Sequence, residues 1–205
     1  MITIHNFARG ARGLRAMWVC EEMKLPYRVS LVTFPPSAEY VALNPLGTVP
    51  FLEDDNGGVA INESLAIVLY LVQRYGPTPL LPDKNDPALP RVLQLAVLSE
   101  ATVGAGMNTL MAAHFAAPEA DKRNWSVRGL EPRVKQTIDY VANLLGDREF
   151  FAGAAFTIAD ICISTTLGIW TAALGKAIPA ELVAWRERLA ARPAYQRASA
   201  AAPGK

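Results

Sequence analysis

Asn62, Glu63 and Ser64 stand directly before an apolar run in which Leu65, Val68, Leu69 and Val72 recur at the i, i+3, i+4, i+7 spacing of an amphipathic helix. The first N–H groups of such a helix have no carbonyl partner and the helix dipole is positive there, so the position suits a carboxylate ligand. Taken alone, the three residues serve equally well as helix caps. Upstream, the stretch Asn44-Pro45-Leu46-Gly47-Thr48-Val49-Pro50 leads into Phe51-Leu52. X-Pro bonds adopt cis at modest cost and proline brings no N–H to a ladder, so the residue before Pro50 can turn its backbone outward. The alternative is that Pro50 begins an edge strand. Farther along, Thr157 and Asp160 have the spacing of a capping box, with Phe156 and Ile161 placed as a hydrophobic staple. That motif stabilises a helix and does no chemistry.

Other chemistries find little support. The two histidines, His5 and His114, have no carboxylate or cysteine at metal-ligand spacing, so no metal is expected. Cys20 and Cys162 are far apart in helical patterns, which disfavours a disulfide, a zinc site or a dithiol centre. Neither a glycine-rich nucleotide loop nor a nucleophile elbow is present. The 205 residues are 51% hydrophobic and 19% charged, a composition of soluble globular proteins, long enough for one large domain or two modest ones. A net charge of +1 gives no pull toward nucleic acid or anionic membrane, and neither is expected as a partner. Apolar runs such as Leu65 to Val72 fall well short of the roughly 20 residues that span a bilayer. The chain opens on a strand-like alternation rather than a signal segment, so a cytoplasmic location is expected.

The elements that must position these residues emerge from periodicity. Met1 to Phe7 alternates as a strand and ends at Ala8, Arg9 and Gly10; Ala11 to Lys24 has helical spacing; Tyr27 to Phe34 is a second strand, stopped by Pro35-Pro36 before a short polar segment. Val49 to Glu53 and Val59 to Asn62 flank the turn Asp54-Asp55-Asn56-Gly57-Gly58, and a helix runs from Glu63 to Tyr75. The order βαβ then ββα makes a small domain of mixed sheet and helices. Gly76 to Pro90 carries Pro77, Pro79, Pro82, Pro87 and Pro90 and is expected to link that domain to a second one. Beyond the linker the pattern predicts helices near 90–116, 126–146, 158–174 and 179–192, then an Ala-rich tail.

This order and the three motifs resemble the glutathione S-transferase family over essentially the whole chain except the tail. The resemblance implies an α/β thioredoxin-like N-terminal domain plus an all-α C-terminal helical bundle domain: residues 1–76 binding glutathione, 77–89 as linker, and 90–205 carrying a hydrophobic substrate site. The stretch from Asn44 to Leu52 looks like the family's approach to its cis-proline. By that resemblance the backbone of Val49, flanked by Thr48 and Pro50, pairs with the cysteinyl part of glutathione. Glu63 and Ser64 inherit the hold on the γ-glutamyl end, Ser64 with the backbone taking the carboxylate and Glu63 helping with the ammonium. Glutathione is then a co-substrate, and the family implies a homodimer.

The thiol-activating position departs from the family. A free thiol has a pKa of about 8.5 and needs help to ionise at neutral pH. Matching Arg15-Ala16-Met17-Trp18 to the family's first helix puts Ala11 where a serine hydroxyl is carried, and an alternative match puts Arg12 at the cysteine position of other members. Arg12 is the candidate activator, since a nearby cation lowers a thiol pKa. His5 or Asn6 at the strand end, or a site that binds glutathione without efficient turnover, remain alternatives. Arg9, Arg12 and Arg15 together also fit a solvated basic edge, Arg9 above all. The resemblance puts the apolar electrophile between the first-helix loop, where Phe7 stands, and the first helix of the helical domain. There Met107, Leu110, Met111, His114 and Phe115 form an apolar wall or, equally, core. Gly104 and Gly106 weaken that helix and predict a bend or a close neighbour. The expected activity is transfer of glutathione to apolar electrophiles in detoxification, with two alternatives. One is glutathione-dependent peroxide reduction, dehalogenation or isomerisation; the other is ligand binding with little turnover.

Overall fold

The sheet is organised by its first strand. In the computed structural model, which describes residues 1–8 and 12–201, β1 (Ile2–Phe7) is buried from Ile2 to Asn6 because it has a strand on each side. It pairs in parallel with β2 (Tyr27–Val32), Ile4 opposite Val29, and antiparallel with β3 (Phe51–Asp54), Ile4 opposite Leu52. β3 continues antiparallel to β4 (Val59–Ile61), giving the order β2-β1-β3-β4. The parallel pair needs a crossover, supplied by α1 (Leu14–Met23); α3 (Ser64–Arg74) packs beside it. This is the mixed sheet with helices that the periodicity predicts. The polar segment after Pro35-Pro36 holds one more element, α2 (Ala38–Leu43), capped by Ser37 Oγ, which accepts from Tyr40 N at 3.2 Å.

The helical stretch expected at 90–116 divides into α4 (Leu89–Leu98), a π-helical segment from Ser99 to Gly104, and α5 (Ala105–Ala116). The expected close neighbour is real: a Cβ on Gly106 would stand 2.5 Å from Val134 Cγ2 on α6 (Trp125–Leu145), so only glycine admits this approach. The buried helix α7 (Ile158–Ala172) starts at Thr157, where the capping box closes, Asp160 Oδ2 accepting from Thr157 N at 3.0 Å. The same buried carboxylate accepts from Phe151 N at 3.1 Å and from Trp185 Nε1, on α8 (Ala180–Ala190), at 3.3 Å. Burial is the main influence on Asp160 and raises its pKa from 3.8 to about 6, although these hydrogen bonds oppose the rise.

The chain forms two compact units, one of Met1–Leu81 with the segment that starts at Leu189, the other Pro82–Arg188. The grouping of 90–205 as one helical domain therefore differs at its end. A further helix, α9 (Pro193–Ala201), lies in the stretch expected to be a tail and packs on α1 within the first unit. Tyr195 meets Trp18 edge to face at 4.8 Å between ring centres. Arg192 donates twice to Glu22, at 2.7 and 3.0 Å, and Arg197 Nε donates to Glu21 at 2.6 Å. No described helix is long and apolar enough to cross a membrane.

Candidate functional site

The first turn of α3 starts without a side-chain cap. Glu63 precedes it with φ 68° and makes no side-chain cap hydrogen bond. A non-glycine residue in that region costs on the order of 1 kcal/mol or more, and such strain clusters at functional sites. The side-chain oxygen of Asn62 is buried without a hydrogen-bond partner among the described residues. Ser64 is 4% exposed, and its Oγ accepts a hydrogen bond of 2.8 Å from Arg15 Nη1. The guanidinium thus adds positive charge where the helix dipole is already positive.

Sequence reasoning missed Arg15, which is 0% exposed. The available signal was its place as the one charged residue in Leu14-Arg15-Ala16-Met17-Trp18-Val19-Cys20. A crossover helix packed against a sheet, α3 and α9 has no solvated face along that stretch. Its neighbour Cys20 is equally enclosed, and burial pushes its thiol up to about 12, so it holds its proton.

Val49–Pro50 is cis. The approach to it is pinned through the Thr48 carbonyl, which accepts from Tyr40 OH at 2.6 Å and from Asn44 Nδ2 at 2.8 Å. Asn44 Nδ2 also donates to Tyr40 OH at 3.2 Å, and Gly47, at φ 61°, returns its N–H to Asn44 O at 2.8 Å. Only glycine takes that turn without strain. The backbone N–H and C=O of the half-buried Val49 form no hydrogen bond among the described residues. An extended ligand can pair with them as a strand would.

Arg12 is half-buried in the turn that opens α1, its carbonyl accepting from Arg15 N at 3.1 Å. Ala11 and Arg9 lie outside the described residues. His5 and Asn6 are both buried. His5 Nε2 is 2.7 Å from Glu53 Oε2, whereas the side-chain oxygen of Asn6 has no partner among the described residues. Gly13 presses against Asn6 so closely that a Cβ there would lie 2.3 Å from Oδ1. Phe7 stacks edge to face on the exposed Phe34 at 5.7 Å.

The expected apolar wall in the second unit divides. Met107 is 1% exposed and belongs to the core, because α5 turns that side toward its helical neighbours. Met111 is half-buried, while His114 is exposed and meets the 65% exposed Phe115 edge to face at 4.7 Å. His114 also lines a cleft together with residues of α6 and the end of α7. Among the described residues, no three His, Cys, Asp or Glu side chains are grouped to hold a metal ion.

Comparison with known proteins bears on both units. Residues 12–74 match the glutathione S-transferase N-terminal domain and residues 106–193 the C-terminal domain of the same name. The chain is 32% identical over 179 residues to glutathione S-transferase 3 of Schizosaccharomyces pombe, spanning 78% of this chain and 70% of that one. Among solved structures it is similar to a glutathione transferase from Methylococcus capsulatus, with a TM-score of 0.81 and 25% identity over 98% of both chains. It is also similar to a theta class glutathione S-transferase from Xanthomonas axonopodis pv. citri with glutathione bound. That match has a TM-score of 0.79 and 27% identity, covering 97% of this chain and 96% of the other.

Proposed function

The chain belongs to the glutathione S-transferase family, and from that premise we propose that it binds glutathione in its first unit and activates the thiol for attack on an apolar electrophile. The observation that carries this reading is the coexistence of two ligand-ready features in one unit. One is the unbonded Val49 backbone beside cis-Pro50; the other is the α3 start with Ser64 held by buried Arg15. They suit the two ends of a peptide-like ligand, an extended middle and a terminal carboxylate. The glutathione bound in the Xanthomonas protein supports the same ligand.

In this proposal Ser64 and the first N–H groups of α3 take the γ-glutamyl carboxylate, and Glu63 takes the ammonium. The Val49 backbone aligns the cysteinyl residue, with Thr48 and Pro50 on either side. Fixing both ends leaves the sulfur few positions, which lowers the entropic part of the barrier. Arg12 then favours the thiolate electrostatically. The apolar substrate meets Met111, His114 and Phe115 of the second unit, and the enzyme acts as a cytoplasmic homodimer in detoxification. Sedimentation that finds only monomer overturns the last point.

The deciding experiment is an ultraviolet titration of the thiolate of bound glutathione from about pH 5 to 9, against a free thiol near 8.5. The expected result is a bound thiol shifted down by roughly one unit, with the shift lost in Arg12→Ala. An unchanged shift in that variant removes Arg12 as activator. A second reading rests on Ala11, which has no side-chain donor: glutathione is bound with little turnover. Binding without a shift supports it.

A further inference from the structure

The Thr48 carbonyl and the Val49 N–H are the two ends of one peptide unit, which is planar with those groups pointing opposite ways. Whatever holds the carbonyl therefore aims the N–H. Two side chains hold it, Tyr40 OH at 2.6 Å and Asn44 Nδ2 at 2.8 Å, and Asn44 Nδ2 also donates to Tyr40 OH at 3.2 Å. Both donors are themselves fixed. Tyr40 is buried with its ring 5.6 Å from that of His5 on β1, and Asn44 is 0% exposed with its backbone N–H on Tyr40 O at 2.7 Å. Burial raises the Tyr40 phenol above its usual 10, against the opposing hydrogen bond from Asn44, so at neutral pH it keeps its proton and donates.

Donors on a carbonyl draw electron density from the whole peptide unit and so strengthen the N–H at its other end. The bonds run in one direction, Asn44 to Tyr40 to Thr48 O, so that each polarises the next. At the end of this chain the Val49 N–H has no acceptor among the described residues. An aimed, polarised and unused donor suits the carbonyl of an extended ligand lying beside it as a strand would. We infer that Tyr40, assisted by Asn44, is a positioning residue for the thiol ligand. Through the Thr48 carbonyl it aims and strengthens the Val49 N–H, which donates to the carbonyl of the ligand's cysteinyl residue. This inference rests on the glutathione reading above.

The test uses Tyr40→Phe, which keeps the ring on His5 and removes only the hydroxyl, in full-length protein whose circular dichroism matches the wild type. Both proteins are titrated by calorimetry with glutathione and with γ-glutamylcysteamine. The second thiol retains the γ-glutamyl end, the amide N–H and the sulfur but has no cysteinyl carbonyl. The variant is expected to bind glutathione roughly fivefold more weakly and γ-glutamylcysteamine less than about twofold more weakly. Equal losses for the two thiols would reduce Tyr40 to general support of the turn and overturn the inference, as would an unchanged glutathione affinity. A second measurement reads the donor without any ligand. In spectra of ¹⁵N-valine-labelled protein, with the Val49 amide identified by its loss in Val49→Ile, Tyr40→Phe is expected to move that amide proton upfield. An unmoved resonance overturns the inference. Absence of wild-type glutathione binding refutes the glutathione reading itself, whereas binding that is present but insensitive to Tyr40→Phe refutes this inference alone.

Discussion

Replacing Asp160 by Ala removes all four hydrogen bonds its carboxylate accepts; the Thr157 hydroxyl can rotate to another acceptor, but three buried N–H donors, Phe151 N, Thr157 N and Trp185 Nε1, are left without partners. A buried donor left unmade costs roughly 2 kcal/mol, so the three together cost about 6 kcal/mol. The variant also no longer buries a charge. Wild-type Asp160 titrates near 6 rather than 3.8, so at pH 7 its ionisation opposes folding by about 3 kcal/mol, which the substitution returns. The expected net loss is about 3 kcal/mol at pH 7. The sign of the pH dependence is set by a folded-state pKa above the unfolded one. The folded protein keeps the proton longer, so the wild type loses stability as pH rises from about 4 through 6 and regains it on acidification. The gap between wild type and variant should therefore widen to about 4 kcal/mol at pH 5. Urea unfolding of both proteins followed by circular dichroism at the two pH values measures it, and taking the difference cancels the other carboxylates. A loss below about 1 kcal/mol at pH 7, or a gap that narrows on acidification, would refute the reasoning.

Glu63→Ala with Ser64→Ala should abolish retention on immobilised glutathione, and unchanged retention would sink the proposed site. Arg15→Met, checked for folding by circular dichroism, should weaken glutathione binding roughly tenfold by calorimetry, since Ser64 loses a charged donor; equal affinity would reduce Arg15 to packing. Gly13→Ala forces a Cβ to within 2.3 Å of Asn6 Oδ1 unless the turn moves. It should lower Tm by several degrees, for a cost of about 1–3 kcal/mol, and an unshifted Tm would show that the turn yields freely.

What could be read from the sequence was what periodicity and turn chemistry control. The strands at Ile2–Phe7 and Tyr27–Val32 and the helices at Ser64–Arg74 and Ile158–Ala172 were visible because alternation, helical spacing and the Thr157–Asp160 box all agree with their surroundings. Val49–Pro50 could be singled out, but the clasp of Tyr40 and Asn44 on the Thr48 carbonyl could not, because it depends on a six-residue helix hidden after two prolines. Arg15 was hidden by its own chemistry: an arginine among arginines looks solvated until the packing around α1 removes every exposed face. Helix α9 was hidden by composition, since its alanines offer little amphipathic signal and its attachment comes from Tyr195, Arg192 and Arg197 reaching long-range partners.

That attachment sets an order of events during synthesis. The sheet and α1 leave the ribosome well before α9, and Trp18, Glu21 and Glu22 receive their α9 partners only after the whole of the second unit has been made. Until then the Trp18 ring and two carboxylates on α1 lack those partners, and a nascent or truncated chain ending at Leu81 displays an apolar patch that the finished protein covers. The helix bearing Arg15, which holds Ser64, is thus completed only once α9 has been made, and a chain cut short before α9 carries an incomplete first unit.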